Sequence, residues 1–307
     1  MKRLIAIFLV LLLMATIFTG CSNDAEREDS HQNALPNKSQ VDSTTSDNTI
    51  TDNTGPVSAQ IDEQILFDQD GILLKATSIE SEVGARNHLI HFELTNNTDR
   101  IILVSGQYTI INGITMEKAL YLRAEAGTVE SSFMRIGDYE VDIPGTKVLQ
   151  TIVPCDWGIF DGDSYDLLHE LHFTLTSDAA AHYCNQVDNS GHVVYDADGV
   201  QVIFKGITKF ADTTGIILLI KNESGREMVF EVKNVMFDGN GIDGNTYRIY
   251  NDTYRNIGIP IRRDVLTAAG LEHHDDIKQI QFTLFAVERN TFEVLLPEET
   301  FTINLTE

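Results

Sequence analysis

The chain has 307 residues with 46 acidic and 22 basic side chains, which gives a formal net charge of −24 at pH 7. A surface this negative repels phosphate backbones and anionic headgroups, so nucleic acid and anionic lipid are excluded as direct ligands. Weak attraction of cationic peptides or metal ions is one reading of the acidity, and simple solubility is the other.

The N-terminus has the pattern of a secretory leader. Lys2 and Arg3 precede an unbroken apolar run from residue 4 to about residue 18, and a short basic segment before such a run is typical of an export signal. The run is about 15 residues long, whereas a membrane-spanning helix needs roughly 20. We therefore predict a signal peptide over residues 1–20 rather than a membrane-spanning helix.

The end of this run, Phe18-Thr19-Gly20-Cys21, resembles the lipobox of bacterial lipoproteins, although that family usually has Leu where this chain has Phe18. The resemblance implies that the Cys21 thiol receives a diacylglycerol, that cleavage precedes Cys21, and that the new amino group is acylated, as with palmitate. Two or more acyl chains hold a protein stably on a membrane, at about 0.8 kcal/mol per buried CH₂. The resemblance therefore predicts a lipid anchor on the extracytoplasmic face of the cell membrane.

A polar segment follows the lipobox. Residues 22–60 are dense in Ser, Thr, Asn, Asp and Gln and hold almost no large apolar residues, so they cannot bury enough surface to offset the entropy of ordering. A flexible chain of about 39 residues has a mean reach of roughly 35 Å. We predict that residues 21–60 form the lipidated cysteine and a disordered tether, with a binding segment inside the tether as the alternative.

The remaining chain contains an ordered internal repeat. Four blocks recur in the same order: 67–72 with 195–200, 94–100 with 220–226, 111–113 with 237–239, and 173–175 with 282–284. We therefore predict a first copy over residues 61–180, a linker over 181–192 and a second copy over 193–307. Each copy has the ordinary size of one globular domain.

Strand signals dominate both copies. Apolar and polar residues alternate in several segments, which predicts strands with one buried and one wet face. These segments are Ile90–Thr95, Leu171–Thr176 and Gln279–Leu284. The run Ile216–Ile220 is apolar throughout, which is typical of a strand covered on both faces.

Helical signals are short. Asp264 can cap a helix over Val265–Ala269, and Gly270 can end it. At the matching place in the first copy, the segment Pro154–Phe160 carries Trp157 and a second aromatic residue at helical spacing. We therefore predict one buried helical turn in that segment.

Many short strands and about 115 residues per copy favour a β-sandwich. The aromatic-Asp-x-x-Gly-apolar opening of each copy, the apolar strand that ends in Asn96 or Asn222, and the short helix before the last strands resemble tandem immunoglobulin-like domains of Gram-positive lipoproteins. The resemblance implies a mainly β protein with two tandem immunoglobulin-like β-sandwich domains, and it implies no chemistry. The first copy lacks a clear counterpart of Glu293–Leu296 and Phe301–Leu305, so we expect its last strand to be missing or supplied by the linker.

Two cysteines remain once Cys21 is lipidated. Cys155 and Cys184 form an even pair, and such a pair in an exported domain can form a disulfide. Closing a loop of about 30 residues would stabilise the fold by roughly 3 to 4 kcal/mol. Two buried reduced thiols are the alternative.

The acidic turns of the sequence contain part of a calcium-loop pattern. Asp68–Gly71 and Asp196–Gly199 both read Asp-x-Asp-Gly, but aligning the glycine with position 6 of an EF-hand puts Leu66 and Val194 where position 1 needs an oxygen ligand. We therefore predict hairpin turns. The segment Asp238–Asp243 is richer in oxygen ligands and is the calcium alternative.

Two histidine pairs lack the spacing of a metal site. His169 and His172 lie three residues apart on a predicted strand, where they point to opposite faces, whereas a zinc helix carries two histidines four apart on one face. The cluster His273–Asp276 follows the predicted helix, and we favour a solvated loop there over a transition-metal site. We predict no metal ligand and no cofactor.

The sequence contains no Gly-x-Ser-x-Gly and no phosphate-binding loop. We therefore predict no catalytic residue and no enzyme, but a non-catalytic binding or surface-interaction module. Its partner is an unknown protein, a cell-wall ligand or a second copy of the chain. The alternatives are a cell-wall or glycan hydrolase, which needs two carboxylates facing across a cleft, and a transporter's solute-binding lipoprotein, which needs alternating βαβ units.

A site added after duplication should consist of polar residues that are present in one copy alone. The candidates are His273, His274, Asp275 and Asp276 in the second copy, and Asp156, Asp161 and Asp163 near Trp157 in the first. Neither group has a recognisable ligand or acid–base spacing, so we predict that both groups are solvated.

Overall fold

A computed structural model describes residues 59–82, 87–137, 148–181, 187–210, 213–242 and 244–305. These residues belong to one compact unit, Pro56–Glu307. The predicted signal peptide 1–20, Cys21, Cys184 and almost all of the tether lie outside the described residues, so the predictions made for them stay predictions. Within the described part, no helix is long and apolar enough to cross a membrane.

The protein is mainly β and its sheets are antiparallel except at one pair of strands, which confirms the predicted fold class. The strands of the first copy are β1 (Gln64–Gln69), β2 (Ile72–Glu82), β3 (Asn87–Asn96), β4 (Ile102–Gly106), β5 (Tyr108–Ile111), β6 (Ile114–Met116), β7 (Leu120–Ala124), β8 (Val129–Gly137), β9 (Thr151–Cys155), β10 (Gly158–Asp161), β11 (Leu167–Glu170) and β12 (Leu175–Thr176). The strands of the second copy are β13 (His192–Ala197), β14 (Val200–Phe210), β15 (Thr213–Asn222), β16 (Met228–Phe237), β17 (Asn240–Ile242), β18 (Asn245–Ile249), β19 (Thr253–Pro260), β20 (Gln279–Glu288) and β21 (Val294–Asn304). The described helical elements are α1 (Arg263–Ala268) and two 3₁₀ turns, Asp178–Ala181 and His274–Asp276.

Each copy forms a sandwich of two sheets around its own core. The first sheet has the order β1-β2-β3-β8 in the first copy and β13-β14-β15-β19 in the second, so these strands correspond one to one. The facing sheet of the second copy has the order β17-β16-β20-β21, and β18 also pairs with β16. One hydrophobic cluster runs from Ala59 to Ala179 and another from Val200 to Ile303. The prediction that the two sandwiches are separate domains stays a prediction.

The facing sheet of the first copy differs because its central strand is broken. The second copy has the continuous strand β16, whereas the corresponding segment of the first copy is divided at Gln107 into β4 and β5. β4 pairs with β7 and β10, and β5 pairs with β6 and β9. As a result, β5, β6 and β9 extend the first sheet of the second copy, in the order β12-β9-β5-β6-β19-β15-β14-β13.

Burial follows the alternation that the sequence contains. Ile90, Phe92 and Leu94 of β3 are buried, as their period of two predicts. Every residue of the segment 216–220 in β15 is at most 1% exposed, which confirms a strand that is covered on both faces.

Four two-residue turns reverse the chain between paired strands. They are Asp70-Gly71, Asn112-Gly113, Asp198-Gly199 and Asp238-Gly239. The φ angle is +45° to +54° at the first residue and +77° to +82° at the glycine, and positive φ at both positions defines the type I′ hairpin turn. The predicted Asp-x-Asp-Gly hairpin turns are therefore confirmed.

The carboxylate of Asp238 is used within the fold. Its Oδ1 accepts hydrogen bonds from the backbone N–H of Lys278 at 3.2 Å and of Gln279 at 2.9 Å. Asn112 is the first residue of the corresponding turn in the first copy, and its Oδ1 accepts hydrogen bonds from the backbone N–H groups of Gln150 and Thr151. Asp243 lies outside the described residues.

The helical predictions were right in one copy and wrong in the other. α1 begins at Arg263, and Asp264 lies in its first turn, where it pairs with Arg262 instead of capping the helix. Pro154–Phe160 forms no helical turn, because β9 and β10 cover it except at a break where Asp156 has a φ of +56°. Aromatic residues at spacing three occur there because the break shifts the side-chain alternation of the strand.

The first copy does have a last strand, contrary to the prediction. β11 pairs with β10 and β12 pairs with β9, as β21 pairs with β20 in the second copy. The predicted strand Leu171–Thr176 is wrong over residues 171–174, which form no strand, and only Leu175 of the block 173–175 lies in β12. The block 282–284 lies in β20, the strand before the last, so the matching of these two blocks was wrong. Alternating Phe-Thr-Leu fits any half-buried strand, so this block does not identify which strand it is.

Candidate functional site

A pocket of about 460 Å³ opens at one end of the first sandwich. It is lined by Asp70, Ile72, Thr98, Asp99, Arg100, Ile102, Leu168 and His169, and we call it the end pocket. Three segments bring these residues together: the turn between β1 and β2, the loop after β3, and β11. The pocket thus combines residues that lie about 100 positions apart in the chain, as loops at the end of a sandwich do.

Asn96 holds the loop that carries two of the polar pocket residues. Its buried Nδ2 donates to the carbonyl oxygens of Arg100, Ala124 and Glu125 at 2.8, 3.1 and 3.0 Å. Its Oδ1 accepts from the backbone N–H and the hydroxyl of Thr98 at 3.0 and 2.7 Å. Because one side chain satisfies five groups, Thr98 and Arg100 are held in fixed positions at the rim of the pocket.

The charges around the end pocket are paired. His169 Nε2 lies 3.2 Å from Asp70 Oδ2, and its ring centre lies 4.8 Å from that of Phe67. Arg100 Nη1 lies 3.5 Å from Asp161 Oδ2. The pocket therefore contains the Arg100–Asp161 ion pair and a His169–Asp70 contact, and it offers both hydrogen-bond donors and acceptors.

Asp161 pairs with the pocket residue Arg100 and is itself held by hydrogen bonds. The backbone N–H groups of Ser164 and Asp163 donate to its Oδ1 at 3.1 and 3.0 Å. These bonds, with a smaller contribution from Arg100, lower the pKa of Asp161. Asp161 thus stays ionised and paired, which corrects the prediction that it is merely solvated, whereas Asp163 is exposed.

The second copy keeps the loop but not the pocket chemistry. Asn222 makes the same set of hydrogen bonds as Asn96, to Arg226, Ile249 and Tyr250 and from Ser224. Its last strand β21 contains no histidine. A site peculiar to one copy is therefore found in the first copy, at His169. Sequence reasoning considered His169 only beside His172, because its pairing with Asp70 depends on a last strand that was not predicted.

A second polar cluster lies where the copies meet, and we call it the junction cluster. Asp156 Oδ2 forms an ion pair with Arg248, accepts from the Tyr250 hydroxyl at 3.1 Å, and lies 3.4 Å from Arg289 Nη2. Arg289 also pairs with Glu227 at 2.8 Å. Asp156 is exposed, as predicted, but the prediction missed that this residue of the first copy contacts three side chains of the second.

Backbone and hydroxyl contacts continue the junction. β6 and β19 form a parallel pair in which Ile114 lies opposite Tyr254, and Tyr254 N donates to Gly113 O at 2.9 Å. The buried hydroxyls of Thr115 and Thr253 are 2.8 Å apart. The junction therefore contains specific polar contacts as well as a shared sheet.

Cys155 adjoins the junction cluster as a half-buried thiol that has no disulfide partner among the described residues. Burial, with the nearby carboxylates of Asp156 and Glu227, raises the pKa of Cys155 to about 12. The thiol is therefore protonated near neutral pH and is a poor nucleophile. Because Cys184 lies outside the described residues, the disulfide stays a prediction.

The histidine candidates do not come together. His172 is largely exposed and lies 3.4 Å from Glu170, away from His169. In the loop after α1, His273 N donates to Asp276 Oδ2 at 2.9 Å and His274 lies 3.2 Å from Asp275, as expected of a solvated loop. No group of three or more His, Cys, Asp or Glu side chains could hold a metal ion in the part of the chain that the structure describes.

The chain matches no family model and no curated protein. Among solved structures it is similar to a conserved domain protein from Bacillus anthracis, with 11% identity and a TM-score of 0.25 over 80% of this chain and 92% of that one. It is also similar to Bacteroides uniformis β-glucuronidase 2, with 10% identity and a TM-score of 0.21 over 72% of this chain and 26% of that one. Likenesses of this size carry no argument about function.

Proposed function

We propose that this protein is a lipid-anchored binding module of the extracytoplasmic membrane face, that it acts without catalysis, and that its end pocket recognises a cell-wall glycan. The anchor rests on the lipobox-like segment that ends at Cys21. The observation that carries the binding proposal is the end pocket, in which Asp70 is paired with His169 and Arg100 with Asp161.

The contacts that the polar groups of the end pocket already make with one another favour an uncharged polar ligand. A charged ligand gains little Coulomb energy from groups that are already paired, whereas hydroxyl groups can bind to both donors and acceptors. The guanidinium of Arg100 supplies donors, the ring nitrogens of His169 can donate or accept, and Asp70 and Asp99 supply exposed acceptors. A glycan strand presents such hydroxyl groups repeatedly.

The titratable groups favour binding over hydrolysis. A glycosidase needs one carboxylic acid whose pKa is raised so that it can protonate the leaving group. Among the described residues, each carboxyl group with a perturbed pKa has a lowered one, at Asp161, Asp188, Asp264 and Glu288. These carboxylates hold loops and turns, which is the role of acceptors in a scaffold.

Co-sedimentation of the full-length protein with isolated cell walls tests the binding. We expect His169→Ala and Arg100→Ala to reduce the bound fraction severalfold. The matched control is His172→Ala, which removes a histidine three positions away that lies outside the pocket. Equal binding by all variants would reject the end pocket, and release of soluble sugar from the walls would favour the hydrolase.

Cell fractionation tests the anchor separately. We expect the protein in the membrane fraction, and Cys21→Ser in the soluble fraction or retained as the longer precursor. A Cys21→Ser protein that is still cleaved after residue 20 and still membrane-bound would contradict the anchor.

A further inference from the structure

The junction within the chain shows how one copy can bind another. β6 of the first copy adds to the edge of β19 in the second, while β18 and β19 provide the side chains Arg248 and Thr253. β19 is the fourth strand of its sheet, and β6 covers its outer edge.

The corresponding edge of the first copy pairs with no other strand among the described residues. β8 is the counterpart of β19, and it ends its sheet in the part of the chain that the structure describes. Three large apolar side chains are exposed on β8 and the preceding strand β7: Tyr121 is 59% exposed, Val129 55% and Phe133 48%. An exposed edge with apolar side chains is a template for pairing with another chain.

The backbone of Val129 is oriented for such pairing. Asn96 N donates to Thr128 O at 2.9 Å, and Thr95 lies opposite Val129. This places Thr95 and Val129 in a non-hydrogen-bonded pair, so the N–H of Val129 points away from β3. Tyr254, the counterpart of Val129, uses its outward N–H to bind Gly113 O.

The second copy offers the complementary strand. β17 is the counterpart of β6, since both follow a type I′ turn, and β17 lies at the edge of its sheet. A groove of about 620 Å³ runs beside it, and its lining includes Glu231, Asn234, Gly241 and Thr246. A Cβ atom added at Gly241 would meet only Val235 O, at 3.9 Å, so the groove is open.

We propose that β17 of one molecule adds to β8 of a second copy of this chain, as β6 adds to β19 within one molecule. Asn240 then lies opposite Val129, and Gly239 O accepts from the Val129 N–H. The two surfaces differ, so the contact is heterologous and joins molecules head to tail. This self-association goes beyond the proposed glycan binding, which uses a different site, and lipid anchoring of every copy to one membrane would raise their effective concentration.

Two variants separate the two surfaces. Val129→Pro removes the outward N–H without removing a hydrogen bond to β3. Gly241→Leu adds a side chain to the lining of the groove, and its Cβ makes no close contact in its own chain. Sedimentation velocity of the full-length protein in mild detergent should show association that rises with concentration. Each variant alone should need at least about tenfold more protein to associate.

Mixing the variants is the decisive measurement. Val129→Pro retains β17 and Gly241→Leu retains β8, so the mixture should form dimers and no larger species. Val129→Ala, which keeps the N–H, and Ile65→Glu, on the edge strand β1, should associate nearly as the unchanged protein does. Thermal unfolding checks that all variants fold.

Several outcomes would overturn the inference. They are a protein that stays monomeric at every concentration, a Val129→Pro variant that associates normally, and a mixture that does not dimerise. A monomeric protein that still binds cell walls through His169 would overturn self-association alone and leave the proposed binding function standing.

Discussion

The first sheets of the two copies have the same strand order, but the central strand of the facing sheet differs between the copies. β16 crosses the second sandwich unbroken, whereas its counterpart stops at Gln107. Trp157 occupies the break: a Cβ atom on Gly106 would lie 1.9 Å from the Trp157 ring, and Trp157 Nε1 donates to Tyr108 O at 2.9 Å. Trp157 thus packs against Gly106 at the point where the chain leaves the first sandwich and continues as β5 and β6 in the sheet of the second copy. The comparison teaches that neighbouring sandwiches can be joined by redirecting half of one sheet.

Removing Trp157 should have the largest effect on this difference. Trp157→Ala creates a large cavity beside Phe92 and Phe173, whose ring centres lie 6.1 Å from the indole. We expect a loss of about 3 to 5 kcal/mol in the free energy of unfolding, measured by urea denaturation followed by circular dichroism. A loss below about 1 kcal/mol would mean that the break does not depend on this side chain.

The loop asparagines test what the copies have in common. Asn96→Ala and Asn222→Ala each remove five hydrogen bonds and leave buried carbonyl groups unsatisfied, so we expect equal losses of about 2 to 3 kcal/mol. Trp157 is the only tryptophan, and its fluorescence reports on the first copy, whereas circular dichroism reports on both. If the copies unfold separately, Asn96→Ala shifts both signals and Asn222→Ala shifts only circular dichroism. Coincident shifts in both variants would mean that the copies unfold together.

The junction cluster should contribute less because its groups are partly exposed. Asp156→Asn keeps a residue that tolerates positive φ and removes the charge that faces Arg248 and Arg289. We expect a loss of about 1 kcal/mol in the free energy of unfolding. A double-mutant cycle with Arg248→Met should return a coupling energy of about the same size. Strict additivity of the two single changes would contradict a direct interaction across the junction.

The smallest effect concerns acid stability of the segment between the copies. Lys205, with the backbone of Ser190, lowers the pKa of Asp188 to about 2. Because this is below its ordinary pKa, the ionised carboxylate stabilises the folded state above about pH 4, and this contribution is lost as the pH falls towards about 2. Half of the Asp188 side chain is exposed, so we expect less than about 1 kcal/mol. Asp188→Asn should lack this part of the pH dependence, and an unchanged acid profile would contradict the assignment.

The sequence was sufficient for the strands whose side chains alternate. The period of two in Ile90–Thr95 and the apolar run 216–220 identify strands because burial of one or both faces acts directly on composition. The two Asp-x-Asp-Gly turns were also predicted correctly, since positive φ restricts the residues that can stand there. Fold class follows from these local signals.

Features that depend on pairing between distant segments were not readable. The break at Asp156 resembled a helical turn, and the last strand of the first copy was missed because β11 and β12 have only four and two residues. The end pocket was missed for the same reason, since His169 meets Asp70 only when that strand pairs. The sequence identified Asp156 as a polar candidate, but it did not indicate which three residues of the second copy Asp156 contacts.

The parallel pair of β6 and β19 also has a consequence for the order of folding. Ile114 and Tyr254 lie about 140 residues apart, and contacts of such long range form late because a long loop must be closed first. β6 pairs with β5 across a two-residue turn, so this hairpin can form before β19 is in place. The outer edge of β6 then stays exposed until the second copy forms its sheet, and the junction is expected to form later than the local pairs of the first copy.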